Sequence, residues 1–230
     1  MTIDGFVINL NRRPDRLKRF YERCDLLGIS PSIQRIEAVD GRSLTSLPAG
    51  TLVDPQNYAC WASHCLVFAS VVAGSADYAL VCEDDAAPDP SVNWEQALSQ
   101  LPMIMEAHRL DYLQLGHISC LYPHDPLRRA IRRHQLTRAG CTFSTVSIGS
   151  RSLQLVRGAS FAGTHCYVIS RRMAELLPHY NLPTWVNADG FFDRLATAQR
   201  SVGAFGMGML ETSIVQQESR TALHADFDSD

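Results

Sequence analysis

The first forty residues limit the fold more than any other stretch of this chain. Phe6 to Leu10 (FVINL) is a short apolar run of strand type, followed at once by Asn11, Arg12, Arg13, Pro14 and Asp15. Leu17, Phe20, Cys24 and Leu27 then recur at helical spacing. Pro14 suits the first turn of a helix, where a missing N–H costs nothing, and Gly28 suits the residue that stops one. Ile33 to Val39 reads as a second strand, closed by the turn pair Asp40-Gly41. A strand, helix, strand opening of this kind predicts an α/β fold built on an open, mostly parallel sheet with helices on both faces.

The rest of the chain continues that alternation. Ser43 to Asn57 is rich in Pro, Gly, Ser and Thr and reads as a loop, and Cys60 to Ala73 as an apolar helix. Tyr78 to Cys82 (YALVC) is a strand, and the two prolines between Ala86 and Ser91 keep that strand from continuing. Val92 to His108 is a helix with an irregularity at Pro102, and Asp111 to Gly116 another strand. His165 to Ile169 is a strand, Ser170 the N-cap of a helix from Arg171 to Tyr180, and Asp189 to Gln199 a further helix. The polar, acidic stretch from Ala222 to Asp230 reads as a frayed tail. No repeat and no linker divides residues 1–230, which predicts a single domain.

Composition bounds the function. With 46% hydrophobic and 20% charged residues, the 230-residue chain has a full core and is not disordered, collagen-like or a disulfide scaffold. A net charge of -3 excludes a general nucleic-acid binder. Lys18 is the only lysine, so almost all basic side chains are arginine forks suited to phosphate. Seven scattered cysteines form no C-x-x-C pair, which argues against structural zinc or a disulfide framework and for reduced thiols. Met1 to Leu10 is not a signal peptide, and the longest apolar stretch, Trp61 to Ala73, is too short to span a bilayer. The expected location is cytoplasmic.

Two features carry chemistry. Glu83, Asp84 and Asp85 follow directly on the strand that ends at Cys82. Three adjacent carboxylates repel one another and are costly to bury unless a cation is present. Ligands of open α/β sheets bind beyond the carboxyl ends of the strands, so this trio suits Mg²⁺ or Mn²⁺ shared with a diphosphate. A solvated acidic turn is the competing reading. The second feature lies between His117 and Ser152, where Arg128, Arg129, Arg132, Arg133 and Arg138 fall at helical spacing. They are either a solvated helix face or a site for an anionic or phosphate-bearing glycan or a membrane surface.

Four blocks stand in order along the chain: FVINLNRRPDRLKRF, ACWASHCLVF, YALVCEDDAAP and GTHCYVISRRMAELL. Together they resemble glycosyltransferase family 25, which includes bacterial lipooligosaccharide galactosyltransferases and relatives of the collagen galactosyltransferases. The matching residues are Asn9, Leu10 and Arg12; Cys60, Ser63 and His64; Glu83, Asp84 and Asp85; Gly163, Thr164, Tyr167, Ile169 and Ser170; then Asp189 and Gln216 or Gln217. Around Asp189 the sequence reads TWVNADGFF, without the proline the family carries before its aspartate; the nearest is Pro183. The long basic tail of some bacterial relatives has no counterpart here.

The resemblance implies a GT-A type fold and a nucleotide-sugar donor, most often UDP-galactose. A divalent metal on Glu83 and Asp85 would stabilise the leaving diphosphate, and strand alternation would turn Asp84 to the opposite face, toward ribose or loop hydrogen bonds. Asn9, Arg12, Arg13, Ser63, His64 and Gln216 are the further candidates for donor binding, with Ser63 and His64 near a helix start. Arg16 reads as a solvated helix residue. Inverting transfer needs a base for the acceptor hydroxyl; Asp189 comes first, then Asp193 and Glu211. Asp189 also suits a helix N-cap. His165 reads as packed near its strand, and His224 is a ligand only in principle. The leading function is metal-dependent transfer of a hexose, galactose favoured, from a UDP-sugar to a saccharide or glycoconjugate acceptor with inversion. The alternatives are a non-catalytic nucleotide-sugar-binding homologue and a metal-dependent phosphohydrolase. Peripheral membrane contact through the arginines stays open.

Overall fold

The computed structural model describes residues 1–29, 33–118 and 125–218; Cys120, His224 and the acidic tail lie outside the described residues. Strand β1 (Ile3–Asn9) leads through helix α1 (Pro14–Leu26) into β2 (Ile33–Glu37). Helix α2 (Pro55–Ala73) then returns the chain to β3 (Tyr78–Glu83) on the other side of β1. After a short β4 (Ala86–Pro88) come α3 (Trp94–Ala107), β5 (Tyr112–Gly116), α4 (Pro126–Arg138), β6 (Thr142–Ile148) and β7 (Arg151–Arg157). The chain continues through β8 (Cys166–Ser170), α5 (Arg171–Tyr180), α6 (Ala188–Val202), β9 (Met207–Leu210) and β10 (Val215–Gln217).

The main sheet has the order β2-β1-β3-β8-β5-β9-β7-β6. Strands β2, β3, β5, β9 and β6 run with β1, and β8 and β7 run against it. It is therefore a mixed sheet in which one direction prevails, as the opening of the sequence predicts. Alternation sorts its side chains into two cores. Val7, Leu80 and Cys82 face the core built with Phe20 of α1 and Leu101 and Met105 of α3. Phe6, Ile8, Ala79 and Val81 face the core built with Trp61 and Phe68 of α2, Met173 of α5 and Phe192 of α6. Trp61 packs edge-on to Phe68, Phe191 and Phe192, a set of contacts each worth about 1 kcal/mol beyond the area it buries.

Because α1 after β1 covers one face and α2 after β2 the other, the two connections diverge at the carboxyl ends of these strands. That is the place where α/β sheets open a ligand crevice. The antiparallel pair β4–β10 closes the crevice from outside, with Gln217 opposite Ala86.

Three differences from the sequence reading have physical reasons. Helix α2 begins at Pro55, inside the stretch read as a loop, because Asp54 caps it by accepting from Asn57 N–H and Pro55 takes the first position. Ser63 and His64 accordingly sit in its third turn, their N–H groups already used by the helix, so the expected helix-start anion site does not form from them. The main-sheet strand does end at Glu83, before the prolines, yet residues 86–88 pair with β10. Finally, α6 is capped by Asn187, whose side chain accepts from Gly190 N–H, so Asp189 is not the cap.

Candidate active site

Two cavities meet at the carboxyl end of β3. One, of about 290 Å³, lies between β1, the loop after β2 and α2, with Arg12, Arg16, Asp40, Arg42, His64 and Asp84 among its walls. The other, of about 250 Å³, lies beneath α6, with Asn57, Thr164, His165, Asp189 and Gln217 among its walls. Cys60 and Glu83 line both.

Glu83 is the last residue of β3, tied into the sheet by its N–H on the His165 carbonyl at 2.9 Å. Its carboxylate accepts from Thr164 Oγ1 at 2.6 Å and lies 3.5 Å from His64 Nε2. Burial pushes this carboxyl up, but His64 and Thr164 outweigh it and hold it at about 2. The chain then turns at Asp84 and Asp85, which ends the alternation expected of an extended segment. Both carboxylates swing onto one guanidinium: Arg16 Nη2 is 2.7 Å from Asp84 Oδ1 and 2.9 Å from Asp85 Oδ2. Arg16 is thus a partner of the acidic cluster and not the solvated residue its sequence position implies.

Asp84 also accepts from Asn9 Nδ2 at 2.7 Å, and Asn9 in turn receives Arg35 Nε at 3.1 Å. Asn9 therefore positions Asp84 from within the sheet. Asp85 accepts from Gln217 Nε2 at 3.1 Å, while Gln216 turns to the Ser213 carbonyl. Of the two candidate glutamines, Gln217 is the one that reaches the cluster. Burial, and then Glu83, push Asp85 up to about 6 against the pull of Arg16. Burial likewise raises Asp84 although Arg16 and Asn9 oppose it. Among the described residues, the buried Oδ1 of Asp85 has no hydrogen-bond partner.

Asp189 sits in the first turn of α6, raised by burial and by the charge of Glu83, with hydrogen bonds from Gly163 N–H and Thr164 pulling the other way. Gly163 has φ +110, a backbone region that glycine alone enters readily. Asp84 and Asp85 thus share Arg16, while Glu83 and Asp189 bring two further carboxylates to the same pair of cavities. Their mutual repulsion and the orphaned Asp85 oxygen fit a hard divalent cation, which takes oxygen ligands. Among the described residues, one donor atom each of Cys60, His64 and Glu83 also lie within 4.8 Å of one another.

The remaining candidates distribute as follows. Arg12 lines the larger cavity with its Nε 2.9 Å from Asp40. Arg13 turns outward to Asp15 at 3.0 Å. Ser63 accepts from Val39 N–H and donates to the Ala59 carbonyl, fixing the loop after β2 against α2. His64 Nδ1 meets the Tyr167 hydroxyl at 2.8 Å. His165 packs on β10 through Nε2 and the Val215 carbonyl. Asp193 lines a separate cavity beside Arg132 and Arg200, and Glu211 lies 3.5 Å from Arg133; neither borders the Glu83 cavities. Sequence reasoning missed Asp40, read only as part of the turn after β2, and Arg42, to which it gave no role. Their place at a strand's carboxyl end was the available signal.

The described residues contain no helix long and apolar enough to cross a membrane. No curated protein matches the sequence. Among solved structures, a CMP:2-keto-3-deoxy-manno-octonic acid synthetase complexed with CTP superposes with a TM-score of 0.42 at 10% identity, over 94% of this chain and 91% of that one. S. aureus TarS 1-349 in complex with UDP-GlcNAc gives 0.41 at 11% identity, over 100% of this chain and 62% of the other. The same TarS fragment alone gives 0.40 at 10% identity, over 95% and 61%; this chain spans about six tenths of its length. Similarity so distant decides nothing about ligands. The family pattern described as glycosyltransferase family 25 (LPS biosynthesis protein), by contrast, matches residues 2–192, most of the chain and every cavity-lining residue named above except Gln217. The chain belongs to glycosyltransferase family 25 and is a glycosyltransferase.

Proposed function

We propose that the chain uses a GT-A type fold to transfer a hexose, galactose the favoured sugar, from a UDP-sugar to a saccharide or glycoconjugate acceptor with inversion. The observation that carries this reading is the position of Glu83 at the junction of two cavities. One is walled by Arg12, Arg16 and Arg42 and the other by Asp189. The arginine-walled cavity suits a nucleoside diphosphate, since guanidinium forks match phosphate oxygens. The smaller one then receives the sugar and the acceptor hydroxyl.

In this reading Asp189 takes the proton of the acceptor hydroxyl as the new glycosidic bond forms and the bond to the diphosphate breaks. Gly163 N–H and Thr164 keep its carboxylate oriented. Asn9 and Gln217 hold Asp84 and Asp85 beside Arg16, so that the phosphates meet an ordered set of charges. Asp85, with Glu83 or Asp84, would hold Mn²⁺ or Mg²⁺. Such an ion, when bound, stabilises the charge that develops on the leaving diphosphate. A partner of peripheral membrane character or an anionic acceptor fits the arginines of α4.

Thermal shift tests the proposal. UDP together with Mn²⁺ should raise the melting temperature more than the sum of either alone, because a ligand held only by the native state stabilises it and each ligand completes the other's site. Asp85→Asn should abolish the synergy and leave the fold intact, since it preserves volume and Arg16 retains Asp84. Equal shifts with UDP in chelator and in Mn²⁺ would remove the metal bridge. Slow release of sugar from UDP-galactose without acceptor, followed by mass spectrometry, separates a transferase from a silent binding homologue.

A further inference from the structure

We propose that Cys60, His64 and Glu83 form a capture site for a thiophilic divalent cation of the zinc class, one whose occupation closes the junction between the two cavities. Cys60 and His64 stand one turn apart on α2, so their side chains share a face. Sγ of Cys60, a ring nitrogen of His64 and a carboxylate oxygen of Glu83 lie within 4.8 Å of one another. His64 Nε2 and Glu83 Oε1 are already 3.5 Å apart. Two ligands at bond lengths of about 2.0 Å on a tetrahedral zinc stand roughly 3.3 Å apart, so this pair needs almost no movement.

The other ring nitrogen of His64 meets the buried Tyr167 hydroxyl at 2.8 Å, the kind of outer contact that fixes ring orientation and tautomer for a metal-ligating histidine. Cys60 lines both cavities, which gives a cation its path in. Packing around the sulfur, together with Glu83, Asp189 and Asp85, pushes the thiol well above its usual range. The same carboxylates attract a dication. On binding, the S–H bond breaks, the sulfur keeps the electron pair to form the metal bond, and the proton leaves to solvent. Three protein ligands leave the fourth position facing the cavities, as in open zinc sites.

The hard cation of the proposed transfer reaction prefers the oxygens of Asp85 and its neighbours and has little affinity for sulfur. The capture site is therefore centred elsewhere and shares only Glu83 with it. Binding of the thiophilic ion stands without the donor reading; only the consequence for transfer rests on that reading.

The test uses the whole chain, stripped with chelator and titrated with Cd²⁺ in the absence of nucleotide. A sulfur-to-metal charge-transfer absorption should rise and saturate at one ion per chain. It should vanish in Cys60→Ser and persist in Cys65→Ser. Zn²⁺ affinity, measured by competition with a chromophoric chelator, should fall at least tenfold in Cys60→Ser. Melting in chelator shows that the variant is folded, and Cys60→Ala serves as a second variant if it is not. A wild-type titration without charge-transfer absorption, or one unchanged in Cys60→Ser, would overturn the proposal and move any bound metal to other thiols such as the Cys82–Cys166 pair, whose sulfurs are 3.6 Å apart. Failure of the donor reading would show separately, as the absence of any UDP shift in chelator or in Mn²⁺.

Discussion

Asp189 shows how one residue's neighbours set its chemistry. Burial and Glu83 raise its carboxyl, so it is a stronger base than a solvated aspartate once ionised, and needs a higher pH to become ionised. A group whose working form is deprotonated gives a rate that falls as pH drops through its pKa. The acid limb of kcat should therefore lie above the usual carboxylate range. Since Asn187 holds the cap, Asp189→Asn leaves the start of α6 satisfied and removes only the proton acceptor we propose for transfer. It should lower kcat by about 10²–10⁴, the typical worth of a general base, with UDP affinity nearly unchanged. Transfer kinetics at saturating acceptor check this, alongside a UDP thermal shift. Transfer near wild type would leave Asp189 a binding role only.

At the scale of elements, the loop 160–163 has to deliver Gly163 and Thr164 to the carboxylates, and β5 holds it there. Gln114 is completely buried; it donates to the Phe161 and Gly163 carbonyls and accepts from Phe161 N–H and the Ser160 hydroxyl. Gln114→Met keeps the volume but strands several buried polar groups. It should cost about 2–4 kcal/mol in denaturant unfolding, with an unchanged m-value. The strand and helix that flank each cavity were readable in the sequence, because FVINL, YALVC and HCYVI are continuous apolar runs and α5 begins on an unambiguous serine cap. Strands β6 and β7 were not: TFSTVSI alternates Ser and Thr with few apolar partners and lies half open at the sheet edge. Glu83 and Asp85 were visible as carboxylates at a strand end. The role of Arg16 and the choice of Gln217 over Gln216 were not, because the contacts of Arg16 and Gln217 with Asp85 cross 69 and 132 positions of sequence and depend on how α1 and β10 fold back.

Across the whole molecule, the end proposed for the nucleotide and the arginine-rich end are built from different strands. Strands β1 to β3 and α2 wall the cavity proposed for the donor, whereas α4 packs at the far side of the sheet. There Arg133 lies over Phe143 and 3.5 Å from Glu211, and Arg132 lies over Phe161 beside a separate cavity. Replacing Arg128, Arg129, Arg132 and Arg133 with Gln removes four positive charges from a chain of net charge -3, a large change in total field. Its effect at the donor cavity is nonetheless small, because salt screens exposed charges beyond about 8 Å at physiological ionic strength. Locally the cation–π contacts go, at about 0.5–1 kcal/mol each, and the buried Glu211 loses its Arg133 partner, which lowers stability while leaving the two main cores untouched. The expected outcome is unchanged UDP affinity, with a raised KM for an anionic acceptor and a flattened salt dependence of that KM. Calorimetry with UDP and acceptor kinetics at two ionic strengths measure both. Loss of UDP affinity by about tenfold, equivalent to about 1.4 kcal/mol, would instead join α4 to the donor cavity and contradict the division of the molecule into two ends.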